Sequence, residues 1–231
     1  MNNNIQVDIA ILDIAKAFDK VTHKRLSEKL QYYGIGGTTR TWIDIFPSNR
    51  IRKVVVDGES SRCSFVTSAV PQGTVLGPTL FLVFINDMAD NLHSTARLFV
   101  DDCVIYRPIH TENDHQLLQE DLDTLVNWSS TWQMEFNVSK CAIMQATNKR
   151  SKTDFTYKMK RKTLEKVSYQ PYLGVELCNN LKYNLHIDQT CKKAIRVLGF
   201  LKRNLKHCPP SVKERAYTSL VRPKLEYCST I

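Results

Sequence analysis

Near the middle of the chain an apolar stretch is split by two carboxylates: Leu98-Phe99-Val100, then Asp101-Asp102, then Cys103-Val104-Ile105-Tyr106. Two apolar arms around an acidic tip predict a β-hairpin with both carboxylates at its turn. A third aspartate, Asp13, directly follows the run Ile9-Ala10-Ile11-Leu12. Val7–Leu12 is short and apolar apart from Asp8, which suits a buried strand. An aspartate flanked by such sequence is costly to bury as a charge unless it is paired or bound to a metal. These two segments therefore constrain the chain most: two strand ends carrying carboxylates that can converge.

The remaining signals alternate strand and helix as far as residue 177 and are helical afterwards. Leu26, Leu30 and Tyr33, following Thr22, fall at helical spacing, and Gly34 can end that helix. A short helix is predicted around Thr41–Phe46. Arg52–Val56, the turn pair Asp57-Gly58 and Cys63–Val70 predict a hairpin. Thr79–Met88 is apolar nearly all round, as a buried helix would be. Leu118, Leu122 and Leu125 predict a helix whose acids form a solvated face. Strands are predicted at Asn137–Ala146, Phe155–Met159 and Tyr172–Leu177. Ile187, Cys191, Ile195 and Leu198 mark an amphipathic helix, and Pro209-Pro210 open another carrying Val212, Ala216 and Leu220. This order predicts an α+β domain with a helical appendage and a boundary near residue 180. A core strand at residue 7 has almost nothing before it, which suggests that a preceding segment is missing.

A chain of 231 residues, 42% of them hydrophobic and 24% charged, can bury a substantial core. Its net charge of +9 is uneven: residues 1–100 net +2, residues 101–147 net −6, and residues 148–231, with 19 basic and 6 acidic side chains, net +13. The C-terminal third would attract a polyanion, although charge alone does not separate a nucleic-acid face from a solvated surface. Seven cysteines without short paired spacing match neither a disulfide framework nor a zinc site, so reduced structural thiols are expected. No basic-then-apolar leader or apolar run of transmembrane length is present, and an intracellular, soluble protein without membrane contact is expected.

Clustered carboxylates suit hard cations such as Mg²⁺, and a two-metal site can clamp the attacking and leaving oxygens of an in-line phosphoryl displacement. Aspartate is also a common turn residue. On spacing alone both readings of Asp13, Asp101 and Asp102 stand.

Several motifs in order favour the first. Leu12-Asp13-Ile14-Ala15-Lys16-Ala17-Phe18-Asp19-Lys20-Val21 resembles motif A of the reverse transcriptases of non-LTR retrotransposons, the jockey-like elements in particular. Val70-Pro71-Gln72-Gly73-Thr74-Val75-Leu76-Gly77-Pro78 resembles motif B, and Phe99-Val100-Asp101-Asp102 resembles motif C. Asn137-Val138-Ser139-Lys140-Cys141 and Tyr172-Leu173-Gly174-Val175 resemble motifs D and E. The likeness continues through Tyr32-Tyr33-Gly34-Ile35, Ile85-Asn86-Asp87 and Leu220-Val221-Arg222-Pro223, covering nearly the whole chain.

The resemblance implies an α+β right-hand polymerase palm, an antiparallel sheet packed on helices, over residues 1–180, with a partial helical thumb over 181–231 and the fingers mostly absent. It implies an RNA-directed DNA polymerase that joins dNTPs to a primer 3′-hydroxyl with two Mg²⁺ ions, or Mn²⁺ in their place, on an RNA template and a DNA primer. Asp13, Asp101 and Asp102 would be the metal-binding carboxylates, with Asp101 the partner of Asp13 and Asp102 partly structural. Lys140 would serve the leaving pyrophosphate as acid or point charge. Phe18 would be a steric gate against a ribose 2′-hydroxyl, and Gln72 and Gly73 would meet the incoming nucleotide. Tyr172, Leu173 and Gly174 would grip the primer. By the family's life cycle such a chain works in cytoplasm and nucleus. The alternative is an inactive or repurposed remnant that binds nucleic acid through its basic helices. Two departures stand out: Val100 where the family usually has Ala, and Ala69 where Gly is usual before Val-Pro-Gln-Gly, which would stiffen that turn.

Overall fold

The structure, a computed structural model, describes residues 5–48, 50–66, 68–149 and 152–229. Strand β1 (Gln6–Asp13) opens it, followed by the single turn α1 (Ala17–Lys20), then α2 (His23–Tyr32) and α3 (Gly37–Ile45). A slender hairpin comes next, in which β2 (Ile51–Arg52) pairs with β5 (Ser64–Phe65) and β3 (Val55–Val56) with β4 (Glu59–Ser60). Helix α4 (Leu76–Ile85) leads through a 3₁₀ turn to the hairpin β6 (Thr95–Phe99) and β7 (Asp102–Ile109). Helix α5 (Glu112–Trp132) precedes β8 (Ala142–Ala146), the small pair β9 (Lys158–Met159) and β10 (Lys162–Thr163), and β11 (Glu165–Val167). A second hairpin, β12 (Tyr169–Tyr172) and β13 (Val175–Cys178), leads into α6 (Asn184–Asn204), α7 (Pro210–Leu220) and α8 (Arg222–Glu226).

Five strands form the main sheet in the order β11-β8-β1-β7-β6. β1 takes the centre because Ala10, Ile11 and Leu12 bury both of its faces. Its neighbours β7 and β8 are antiparallel to it, and β6 is antiparallel to β7. The edge strand β11 runs parallel to β8, so the sheet is mixed rather than wholly antiparallel.

The alternation of side chains splits this sheet into two unlike faces. Ala10, Leu12, Cys103, Ile105 and Ile143 point to the helix side and join the main core with Leu26 and Leu30 of α2, Phe81 and Phe84 of α4, and Leu118, Leu122 and Leu125 of α5. Ile11, Val104 and Met144 point the other way and are buried under side chains that are themselves half-exposed, among them Tyr172 and Leu177 of the β12–β13 hairpin. Helices α6 to α8 gather around a separate small core of Ala194, Leu201 and Val221.

Two buried charges are secured on the helix side. Asp8 is fully buried; it accepts hydrogen bonds from Tyr157 Oη at 2.8 Å and Gln6 Nε2 at 2.9 Å, and lies 3.2 Å from His115 Nδ1. Lys29, 2% exposed, donates to the Phe84 carbonyl and the Asp87 carboxylate, with the Trp132 ring 3.9 Å from its ammonium. Burial holds its pKa below the usual lysine value, and Asp87 partly offsets that.

Several expectations change. The acids of α5 are not all solvated: Asp121 is fully buried and caps the turn before β6 by accepting from the backbone N–H groups of His93 and Ser94, both at 2.8 Å. The helix predicted over Thr79–Met88 starts three residues earlier and exposes half of Leu82. Asn137–Lys140 forms a turn, not the start of a strand, and the strand expected over Tyr172–Leu177 is broken by a turn at Leu173-Gly174. The strand expected over Phe155–Met159 shrinks to Lys158–Met159, and the returning arm expected over Cys63–Val70 shrinks to Ser64–Phe65 among the described residues. Among the described residues no helix is long and apolar enough to cross a membrane.

Candidate active site

The two strand ends converge. The β1–β7 register sets Asp13 directly opposite Asp102, and directly opposed residues share a face, so both carboxylates lie on the open side of the sheet. The neighbour of Asp13 across the ladder is thus Asp102, with Asp101 next to it at the tip. The cause is the two-residue turn: Phe99 pairs with Asp102, leaving Val100 and Asp101 as its central residues. Val100 has φ of 54° and Asp101 is exposed at the tip. A β-branched residue at positive φ is strained, at a cost on the order of 1–3 kcal/mol.

Burial raises the pKa of Asp102 above the usual carboxylate value, and the charges of Asp101 and Asp13 add to the rise. The charges of two carboxylates thus press on a third. Among the described residues no three such side chains close around a single metal position. Two opposed carboxylates with a third at the tip nevertheless fit a hard cation that completes its shell with phosphate oxygens and water, as Mg²⁺ usually does. Neutralising this repulsion is what a bound cation would accomplish.

The turn before β8 is strapped to the end of β1. The backbone N–H of Asn137 donates to the Asp13 carbonyl at 2.8 Å, and Ala15 N–H donates to Glu135 O at 2.7 Å. The same turn brings Lys140 Nζ to 3.9 Å from Asp13 Oδ2. Both side chains are accessible, Asp13 at 34% and Lys140 at 67%, so this pair is loose and free to exchange partners. Beneath it the Asp13 N–H donates to Cys141 Sγ at 3.5 Å. A cleft of about 250 Å³ joins Asp13, Asp102 and Lys140 to Glu165, Gln170 and Pro171.

Glu165 and Gln170 were not picked out from the sequence. Glu165 reaches the cleft because β11 pairs in parallel with β8, opposite Ala142, a pairing that no local pattern announces. Tyr172, next in sequence to Pro171, packs against the cluster of Ile11, Val104 and Met144. Burial raises the pKa of its hydroxyl, with the nearby charge of Asp102 adding to the effect.

The other residues singled out fall around this centre. Phe18, half-buried, stacks on Phe81 with ring centroids 4.7 Å apart. Its carbonyl accepts the Val70 N–H at 3.0 Å, tying the segment after Asp13 to the Pro-Gln-Gly turn. Gln72 and Gly73 are exposed in that turn, with Gly73 at φ 77°. The turn is braced by Thr74, whose hydroxyl donates to the Pro71 carbonyl at 2.8 Å and accepts from the Gly77 N–H at 3.1 Å. Gly77 was missed by sequence reasoning, yet a Cβ there would stand 2.2 Å from the Pro71 carbonyl oxygen. Ala69 has φ of 101°, a conformation suited to glycine, which explains the glycine usual at this place in the resembling family. Leu173 and Gly174 form the tip of the β12–β13 hairpin.

Comparison with known proteins supplies the family. The model of the family "Reverse transcriptase (RNA-dependent DNA polymerase)" matches residues 5–200, and the chain belongs to that family. Within it, the chain is of the non-LTR retrotransposon kind: it is 28% identical over 94% of its length to the RNA-directed DNA polymerase from mobile element jockey of Drosophila melanogaster. It is 27% identical over 92% of its length to the probable RNA-directed DNA polymerase from transposon BS of the same fly. In both cases it spans about a quarter of the relative's length, 25%. Among solved structures, the telomerase of Candida tropicalis in complex with a TWJ fragment of telomeric RNA superposes with a TM-score of 0.53, covering 98% of this chain and 39% of that one at 8% identity. A likeness at that identity speaks to the fold, a right-hand polymerase. Membership of the family implies dependence on a divalent cation.

Proposed function

We propose that this chain is the nucleotidyl-transferring part of an RNA-directed DNA polymerase of a non-LTR retrotransposon, with residues 1–180 as palm and 181–231 as part of a thumb. The observation that carries this reading is the opposed pair Asp13 and Asp102 on the open face of the central sheet, with Asp101 beside them and Lys140 and Tyr172 flanking.

Asp13, Asp101 and Asp102 would hold two Mg²⁺ ions, or Mn²⁺. Bound there, such ions supply Lewis-acid stabilisation of the phosphoryl oxygens and lower the pKa of the primer 3′-hydroxyl. The chain's own residues do the rest by positioning. Lys140, only loosely paired with Asp13, would be free to turn to the departing pyrophosphate, as an acid or as a point charge. Phe18, held rigid against Phe81, excludes a 2′-hydroxyl. Gln72 and Gly73 meet the nucleotide from the turn that Thr74 braces. Tyr172, Leu173 and Gly174 receive the primer end. The exposed Lys192, Lys193, Arg196, Lys202, Arg203 and Lys206 of α6 and the turn after it neutralise phosphates of an RNA-templated duplex without reading bases. Such a reaction belongs to cytoplasm and nucleus.

Extension of a DNA primer on an RNA template with Mg²⁺ and dNTPs tests the reading, beside an Asp101→Ala, Asp102→Ala control. Extension by the wild-type chain alone supports it. Salt-sensitive duplex binding without any extension would leave only nucleic-acid binding.

A further inference from the structure

The turn Leu173-Gly174 is held from an unexpected quarter. Both of its residues have positive φ, 48° and 76°, a geometry that normally takes Asn-Gly or Gly-Gly rather than a leucine. The phenol of Tyr227, distant in sequence, donates a hydrogen bond to the Leu173 carbonyl at 2.8 Å. Its ring lies so close to Gly174 that a Cβ there would stand 3.0 Å from Cε1 and 3.1 Å from Oη. Tyr227 directly follows α8: its N–H donates to the Pro223 carbonyl at 3.1 Å, and Arg222 and Glu226 pair along the same turn at 2.5 Å. Val221, just before α8, sits in the small core with Ala194 and Leu201. On the other side of the hairpin, Tyr172 packs on the cluster of Ile11, Val104 and Met144 below the carboxylates. Beside Tyr227 runs a groove of about 400 Å³ bounded by Gly174, His186, Lys193 and Lys224.

We propose that Tyr227 is a positioning residue: it latches the helical unit to the Leu173-Gly174 turn and so fixes where a primer end lies over Asp13 and Asp102. The idea rests on the polymerase reading for its consequence, though not for the latch itself. A strand gripped by the helices is registered to the carboxylates through this contact, the Glu176 N–H bond to His186 Nδ1 at 3.4 Å, and the short hairpin behind them. Tyr227 is half-exposed, so its role is to set geometry rather than to supply stability.

Hydrogen–deuterium exchange on the full chain tests the latch. In Tyr227→Phe, which keeps the ring and removes the donor, amides across 169–178 should exchange about fivefold faster or more, while α5 and α7 keep their protection. Gly174→Ala, which displaces the ring from the other side, should reproduce the change, and the double variant should add little to either single one. In primer extension, Tyr227→Phe should raise KM for the primer–template about fivefold and leave KM for dNTP within about twofold. The bound duplex, followed by anisotropy, should dissociate correspondingly faster. Unchanged exchange across 169–178 overturns the latch whether or not the chain extends primers. Faster exchange with unchanged duplex lifetime overturns the positioning role. Absence of extension by the wild-type chain counts against the polymerase reading instead, and the exchange and lifetime measurements still decide this one.

Discussion

Asp8 and Asp13 stand on the same strand and face opposite sides of the same sheet. Asp8 is sealed among Gln6, Tyr157 and His115, with its oxygens taken by hydrogen bonds. Asp13 is a third exposed, faces another carboxylate across the ladder, and has only a loose lysine for company. A buried charge whose partners are complete does structural work, because removing one partner strands the others. A half-open charge set against a like charge is unfavourable for folding by itself, and persists where a ligand will resolve it. The two residues are of the same type, and only their neighbours tell structure from function.

Asp8→Ala should separate the two most sharply. It strands Tyr157, His115 and Gln6 and should destabilise the chain by about 3–5 kcal/mol, read as a lower urea midpoint at unchanged slope. A loss below about 1 kcal/mol would show that the triad carries little. Asp102→Ala should do the reverse: primer extension falls on the order of 10²–10³-fold or more while the melting temperature holds or rises. If stability dropped as steeply as activity, the open-face carboxylates would be structural too.

Strain in the segment before the Pro-Gln-Gly turn is conformational. Ala69→Gly relaxes a φ of 101° and should raise stability by about 1 kcal/mol in the same denaturation assay. A smaller effect should come from pH. Asp102's raised pKa means that the folded chain holds this proton more tightly than the unfolded one. Its contribution to stability is therefore greatest below the ordinary carboxylate pKa and is lost as pH rises through the folded value. Asp102→Asn should flatten that decline and leave the variant more stable near neutrality by about 0.2–1 kcal/mol. Thermal melts across the acidic to neutral range check this. Added Mg²⁺ should raise the wild-type midpoint more than the variant's.

What could be read from the sequence was local pattern. The apolar run before Asp13, the split run around Asp101-Asp102, the leucine stripe of α5 and the proline pair that opens α7 each declare their element within a few residues. Pairing across long separations could not be read this way. Nothing near Glu165 indicates a parallel partner at Ala142, and nothing near Asp121 indicates the waiting amides of His93 and Ser94. Asn137–Lys140 abuts an apolar strand but carries turn residues, and it closes on itself through the Lys140 N–H bond to Asn137 O while Asn137 N–H is taken by Asp13. The same limit applied inside the site. The three carboxylates were visible, but which of them faces Asp13 depends on where a two-residue turn falls, a one-residue question that flips side chains between faces.

The cage around Lys29 gives the molecule a built-in timer. An amine at the surface reacts with acylating reagents at once, whereas this one is walled in by Trp128, Trp132 and Phe84 and tethered to Asp87. A reagent can reach it only when the contact between α2 and the α4–α5 side opens. Mass-spectrometric labelling at Lys29, set against the exposed lysines of α6, would count those openings in a single experiment. The opening rate of the palm could then be followed with no nucleic acid present.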